Sequence, residues 1–370
     1  MTRRTTGGNV RHHSTRDLWE ARYTASDGRR HSVYAPTRRE AQERLRTALQ
    51  ARDHGIRPIG QQLTVGAFLD EWLSTSVEAR CRPSTARSYR ETVDRYIRPA
   101  VGRLALAKLD PEHVQRMLVD LTARGDLSST TVRYAYVVLR VALGRALKSG
   151  KVLRNVAALV DPPAKAKHEL RPLTLEQVAI FRHAIAGHRL EALFLAAIGT
   201  GLRQGELLAL RWSDVDLDSG SLTVNHTLDR RTGTLVEPKT PGSRRMVRLP
   251  LPVVAALHRW QRRQAGEREL ARIWDARGLV FATRNGRPLG SRNVTQDLQA
   301  ILRAASLPHQ RFHDLRHAFA TLQLEAGADI FEVSRALGHA NIGTTSAVYA
   351  HWTEAMAART AERMSGILGG

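Results

Sequence analysis

The sequence is poor in cysteine, in lysine, in acidic residues and in long apolar runs. Cys81 stands alone among 370 residues, which excludes an intrachain disulfide framework and a multi-cysteine zinc site. No apolar stretch approaches the roughly 18 residues that span a bilayer. The opening MTRRTTGGNVRHHSTRD lacks the apolar centre of a secretory signal. These absences predict a reduced, cytoplasmic protein. Asp and Glu number 35 against 57 Lys and Arg, for a net charge of +22. Such a field attracts polyanions, nucleic acid first among them; an arginine-rich proteome is the bland alternative. Lysine occurs only at Lys108, Lys148, Lys151, Lys165, Lys167 and Lys239, so almost every basic position has gone to arginine.

The remaining sequence divides into three patterns, and its length predicts two or three domains. In residues 1–58, DLWEARYT places Trp19, Ala21 and Tyr23 on one face, and Asp27-Gly28 supplies a hairpin turn before RHSVY. Thr37 and Glu40 form a capping box ahead of Ala41, Leu45 and Leu49, with Gly55 as a stop. A hairpin or three-stranded sheet plus one helix is expected, its arginines (Arg22, Arg29, Arg30, Arg38, Arg39) suited to phosphate or to a solvated surface.

Residues 62–160 read as a bundle of four helices. Thr64 caps the first, with Phe68, Leu69, Trp72 and Leu73 inward. Ser84 opens the second, carrying Tyr89, Val93 and Ile97. Asp110-Pro111 starts the third and a long helix begins near Ser129. Residues 161–172, DPPAKAKHELRP, are a linker. Residues 173–370 are mixed: a Thr174/Gln177 capped helix, the buried helix LEALFLAAIGTG, strand-like alternation over 222–250, and helices resuming after 291. The fold class expected is multidomain and mainly α with small β-sheets.

Four clusters in the last segment carry chemistry: GTGLRQGEL (199–207), EPKT (237–240), FHDLRHAFAT (312–321) and LGHANIGTTSAVY (337–349). They hold two arginines, a lysine, histidines and a tyrosine. Planar guanidinium groups neutralise a phosphoryl transition state bidentately. A tyrosine hydroxyl can attack phosphorus and store the diester, and a lysine can protonate the leaving oxygen where arginine, with its higher pKa, cannot. Tyr349 is the only tyrosine after Tyr136, and Lys239 the only lysine after Lys167. His313 and Arg316 share a helical face. His313 and His317 have zinc-like spacing, yet Asp314 stands where a zincin has glutamate, and Arg316 sets a cation beside the position. Glu206, three residues after Arg203, can orient that guanidinium; a surface ion pair is the bland reading. GTGLRQG lacks the Gly-Lys-Ser/Thr of a nucleotide loop.

These motifs closely resemble the tyrosine recombinases, the family of lambda-type phage integrases, in TGLRQGELLALRWSDVD, HDLRHAFAT and LGHANIGTTSAVYAH. The family's order of catalytic residues is carried by Arg203, Lys239, His313, Arg316, His339 and Tyr349. The resemblance implies an arm-type DNA-binding domain at 1–58, a helical core-binding (SAM-like) domain at 62–160 and a mixed α/β catalytic domain at 173–370. The first of these favours an integrase of a mobile element over the shorter Xer-type enzymes. It further implies a Tyr349 nucleophile forming a 3′-phosphotyrosine, Arg203 and Arg316 on the phosphate with His313 and His339 assisting, and Lys239 as acid. Neither cofactor nor metal is implied. The partners implied are double-stranded attachment sites, a homotetramer in synapsis and an excisionase or DNA-bending protein, in a bacterial nucleoid. Met356, Thr360, Met364 and Ile367 or Leu368 share one face of a tail helix that docks on a neighbouring protomer or on its own domain. A type IB topoisomerase-like enzyme, a catalytically silent DNA-binding regulator and a metal-dependent nuclease are the alternatives.

Overall fold

Alternation and helical periodicity segregate along the chain, and the computed structural model folds them into two compact units, Met1–His168 and Glu169–Gly370. It describes residues 8–14, 17–24, 28, 30–53, 63–164, 171–238 and 244–338, with 343, 361–362, 364–366 and 368 beyond.

In the first unit, strands β1 (Asn9–His13), β2 (Leu18–Thr24) and β3 (Arg30–Ala35) form an antiparallel sheet in that order. Side chains alternate across a strand. Ala21, Tyr23 and Ala35 therefore face helix α1 (Arg38–Asp53) and bury against its Ala41 and Leu45. The opposite face carries Glu20, which is nonetheless only 1 % exposed. Register explains this: Arg11 and Tyr34 lie directly across from Glu20, and Arg22 and Ser32 close beside it. All four donate to its carboxylate, at 2.8, 3.2, 2.9 and 2.7 Å respectively.

Four helical rods follow. Thr64 caps α2 (Val65–Trp72) by accepting from the Ala67 N–H at 3.1 Å. Its last turn runs into a π-helical turn, Leu73–Val77. The second rod joins α3 (Pro83–Thr92), a π turn at Val93–Ile97, and the short α4 (Arg98–Val101). It starts one residue earlier than Ser84 suggests, because Pro83 occupies the first helical position, where its missing N–H costs nothing. Asp110 caps α5 (Pro111–Ala123) and Ser128 caps α6 (Ser129–Lys148). Leu73, Val77, Val93 and Ile97 of the π turns enter the same core as Phe68, Met117, Leu139 and Leu143.

The second unit is built around α8 (Glu191–Thr200), which is apolar on every side and buried accordingly. Around it stand α7 (Leu175–Ala184), α10 (Leu251–Leu270), α11 (Ser291–Ala304) and α12 (Phe312–Glu325). Thr174 and Gln177 cap α7 reciprocally. Helix α10 departs from the sequence reading, which resumed helices only after 291. Prolines 250 and 252 mask its start and Gly266 its second half, while its inward residues Val253, Leu257 and Trp260 supply the drive. The strands are also shorter than the alternation suggests. β4 (Val215–Asp216), β5 (Ser221–Thr223) and β8 (Met246–Arg248) make one small sheet, and β6 (Thr227–Leu228) with β7 (Leu235–Val236) a hairpin. Helix α12 divides its faces. Leu315 and Ala318 join the main core, whereas Phe319 and Leu324 meet Val333 and Leu337 of α13 (Ile330–Leu337).

Candidate active site

Two helix ends and one helix start converge beside α12. The end of α8 is Gly201, with φ of +63°. A β-carbon there would lie 2.6 Å from Phe319 Cδ1 and 2.9 Å from Leu337 Cδ2, so the position is closed to larger residues. The turn places Arg203, in extended backbone, as N-cap of the short helix α9 (Gln204–Leu208). Glu206, in the first turn of α9, accepts from the Arg203 N–H at 3.0 Å and from its Nη1 at 2.7 Å. This is no surface ion pair: Glu206 is 4 % exposed, while Arg203 keeps more than a third of its side chain in solvent. The carboxylate thus holds the guanidinium from below and leaves its outer edge open.

A third partner, which the sequence reading missed, is Arg245. Its Nη2 donates to Glu206 Oε2 at 3.2 Å and its Nε to the Ala336 carbonyl at 2.8 Å. Alternation through RRMVRL carried the signal, since it assigns Arg245 to the inward face with Val247 and Leu249. Burial alone would raise the Glu206 carboxyl pKa. The charge of Arg245, then the hydrogen bonds and charge of Arg203, outweigh that and hold it below the usual carboxylate range.

Arg316 comes from the second turn of α12 and is 3 % exposed. Its Nη1 donates to the Gly201 carbonyl at 2.7 Å and its Nη2 to the Leu337 carbonyl at 2.6 Å. Carbonyls at helix ends lack intrahelical partners, so Arg316 ties the ends of α8 and α13 together. At the start of α12, Asp314 accepts from the Arg311 N–H at 2.7 Å, the same local device as Glu206 on Arg203. His313, one residue before Asp314, is exposed. Loss of water on its protein side, then the neighbouring His317, Arg316 and Arg203, push its pKa down to about 4. Its ring meets His317 edge-on, centroids 5.0 Å apart.

The structure therefore brings together Arg203, Glu206, His313 and Arg316. Lys239, His339 and Tyr349 lie outside the described residues, as does most of the tail helix reading. Among the described residues no group of three His, Cys, Asp or Glu side chains is placed to hold a metal, and no helix is long and apolar enough to cross a membrane. Two guanidiniums beside an imidazole held uncharged are a set that can bind an anion and accept a proton.

This arrangement has counterparts. Residues 172–356 match the phage integrase family, and 64–121 match the phage integrase N-terminal SAM-like domain. A tyrosine recombinase XerC-like protein of Caldanaerobacter subterraneus subsp. tengcongensis is 30% identical over 344 residues, covering 87% of this chain and 88% of its own. The fold is that of the transposon Tn1549 integrase, solved with a circular intermediate DNA: TM-score 0.71, 21% identity, over 82% of this chain and 100% of that one. It is also that of lambda integrase, solved as a tetramer bound to a Holliday junction: TM-score 0.55, 18% identity, over 92% of this chain and 97% of the other. The chain belongs to the phage integrase family of tyrosine recombinases, enzymes that cleave and rejoin DNA.

Proposed function

We propose that this recombinase integrates and excises a mobile element through a covalent bond between Tyr349 and the 3′-phosphate of its DNA site. The Tyr349 oxygen forms a bond to phosphorus as the bond from phosphorus to the 5′-oxygen breaks. The tyrosine proton leaves to a neutral histidine, His313 or His339, and Lys239 supplies the proton that makes the 5′-hydroxyl. Arg203 and Arg316 hold the non-bridging oxygens. A 5′-hydroxyl from a partner strand then attacks the phosphotyrosine and restores the tyrosine. One diester replaces another, so no external energy is consumed. The observation that carries this reading is the Arg203–Glu206 pair packed beside His313 and Arg316.

Exchange between two duplexes cuts four strands, so four tyrosines are required, two protomers on each duplex. Partners in this reading are two double-stranded attachment sites, with an excisionase or DNA-bending protein setting direction. The N-terminal sheet is the arm-site reader. Helix α1 covers one face, and the other presents Arg11 and Arg22, each about half exposed, suited to phosphates and base edges.

The test incubates the protein with DNA flanking its own gene, in excess chelator, and looks for a protein–DNA adduct that survives denaturation. Wild type is expected to give the adduct and Tyr349→Phe none. Tight, specific binding with no adduct from wild type would overturn the reading.

A further inference from the structure

Arg245 sits where the anion site meets the end of α13. Its backbone is fixed first: the Val224 N–H donates to the Arg245 carbonyl at 2.9 Å, extending the pairing of β5 with β8 by one residue. The side chain then turns inward and is only 9 % exposed. From there one planar fork reaches two acceptors of different kinds, the Glu206 carboxylate and the Ala336 carbonyl.

The second contact gains its meaning from Arg316. Ala336 and Leu337 are the last two carbonyls of α13, and Arg245 takes one while Arg316 takes the next. Two cations on consecutive end carbonyls favour the negative pole of that helix. Gly338 then terminates it at φ of +66°, and a β-carbon there would lie 2.9 Å from Arg245 Nη1. Arg245 therefore packs directly against the residue that terminates α13. His339 is the next residue, and Tyr349 follows ten later.

We propose that Arg245 is a positioning residue for strand cleavage: it orients Arg203 through Glu206 and anchors the point from which the His339–Tyr349 segment departs. This rests on the recombinase reading above. Its partner Glu206 is shared with Arg203, so one side chain links that guanidinium to the end of α13. Lysine cannot replace it, since a single ammonium lacks the planar fork that meets both acceptors at fixed angles.

The experiment uses the full chain and the flanking DNA that gives an adduct with wild type. Wild type, Arg245→Lys, Arg245→Ala, Glu206→Gln and the Glu206→Gln/Arg245→Lys double variant are compared at saturating protein. The single-turnover rate of adduct formation and the affinity for the same DNA are both measured. Arg245→Lys is expected to slow adduct formation by about 10- to 100-fold with affinity unchanged. The double variant is expected to be no slower than the worse single one, because both act through one link. A wild-type rate in Arg245→Lys overturns the proposal. So does a loss of affinity with an unchanged saturated rate, which would make Arg245 a DNA contact, and so do strictly additive effects. Absence of adduct from wild type itself is the separate failure of the recombinase reading. If Arg245→Ala does not fold, the decision passes to Arg245→Lys, which keeps the charge and most of the volume.

Discussion

Glu206 binds Arg203 twice within a single turn, through the backbone N–H at 3.0 Å and Nη1 at 2.7 Å, while its other neighbour Arg245 is buried beside it. An exposed pair of this spacing is worth under about 1 kcal/mol. This site behaves differently, because removing Glu206 strands the buried Arg245 away from water. Glu206→Ala is expected to cost about 3–5 kcal/mol, read as a lower denaturant midpoint in the fluorescence of Trp212 and Trp260. The pH sign follows from the lowered carboxyl pKa. The contribution is complete above the ordinary carboxyl range and disappears as pH falls through the lower folded value. Wild type should therefore lose more stability than Glu206→Ala between neutral pH and that folded value. Equal acid slopes in the two proteins would refute the linkage.

Gly201 offers a steric test of the same region. Alanine there must hold a left-handed backbone, at about 1–2 kcal/mol, and place a methyl 2.6 Å from Phe319. Overpacking adds about 1–3 kcal/mol. Gly201→Ala should lower the denaturant midpoint and slow adduct formation together, since the Gly201 carbonyl is also an acceptor for Arg316. A fully active, undestabilised variant would show that the turn has room the geometry denies it.

Glu20 makes a prediction about selectivity. Its hydrogen bonds from the Ser32 hydroxyl, the Arg22 guanidinium and the Arg11 guanidinium, in that order, hold the carboxyl down to about 2. Glutamine keeps the shape but gives up the charge that fixes Arg11 and Arg22. Non-specific DNA affinity should rise slightly in Glu20→Gln with the added net positive charge. If the sheet is the arm-site reader proposed above, affinity for the arm site should fall, because the carboxylate no longer fixes the Arg11 and Arg22 guanidiniums. Competition binding of the full chain, arm-site DNA against random DNA, measures that ratio. A ratio unchanged from wild type would remove Glu20 from recognition.

The boundary between what was legible in the sequence and what was not runs along sequence distance. Caps such as Thr64, Asp110 and Thr174, and the apolar stripes they precede, involve residues within one turn, and they appear where the pattern puts them. The spacing of Arg203 and Glu206 was equally visible. Its burial was not, since Arg245, 39 residues further on, packs beside the carboxylate. Alternation assigned Glu20 to the open side of the sheet, but only strand register brings Arg11, Ser32 and Tyr34 onto it. Arg245 carried a readable inward signal, yet its partners lie 39 and 91 residues away. Helix α10 was hidden for a local reason, its prolines and mid-helix glycine outweighing an apolar face confined to its first half.

His313 supplies the last expectation, and its sign is opposite to that of an exposed histidine paired with a carboxylate. Its folded pKa of about 4 lies below the ordinary 6.5, so at neutral pH the ring is uncharged and able to accept a proton. Between those two values the unfolded chain binds a proton that the native ring refuses. Stability should accordingly fall as pH drops from about 6.5 toward about 4 and level off below that, with no penalty above 6.5. His313→Gln should lack this part of the slope. On the proposed mechanism, a phosphodiester held by Arg203 and Arg316 should reverse the balance, because its negative charge favours the imidazolium. The ring's carbon-bound protons, followed by NMR through a pH titration, are expected to show a midpoint near 4 in the free protein. The midpoint should be higher in the complex of Tyr349→Phe with its DNA site. A midpoint at the ordinary histidine value in the free protein would show that burial and the neighbouring His317, Arg316 and Arg203 do not depress it.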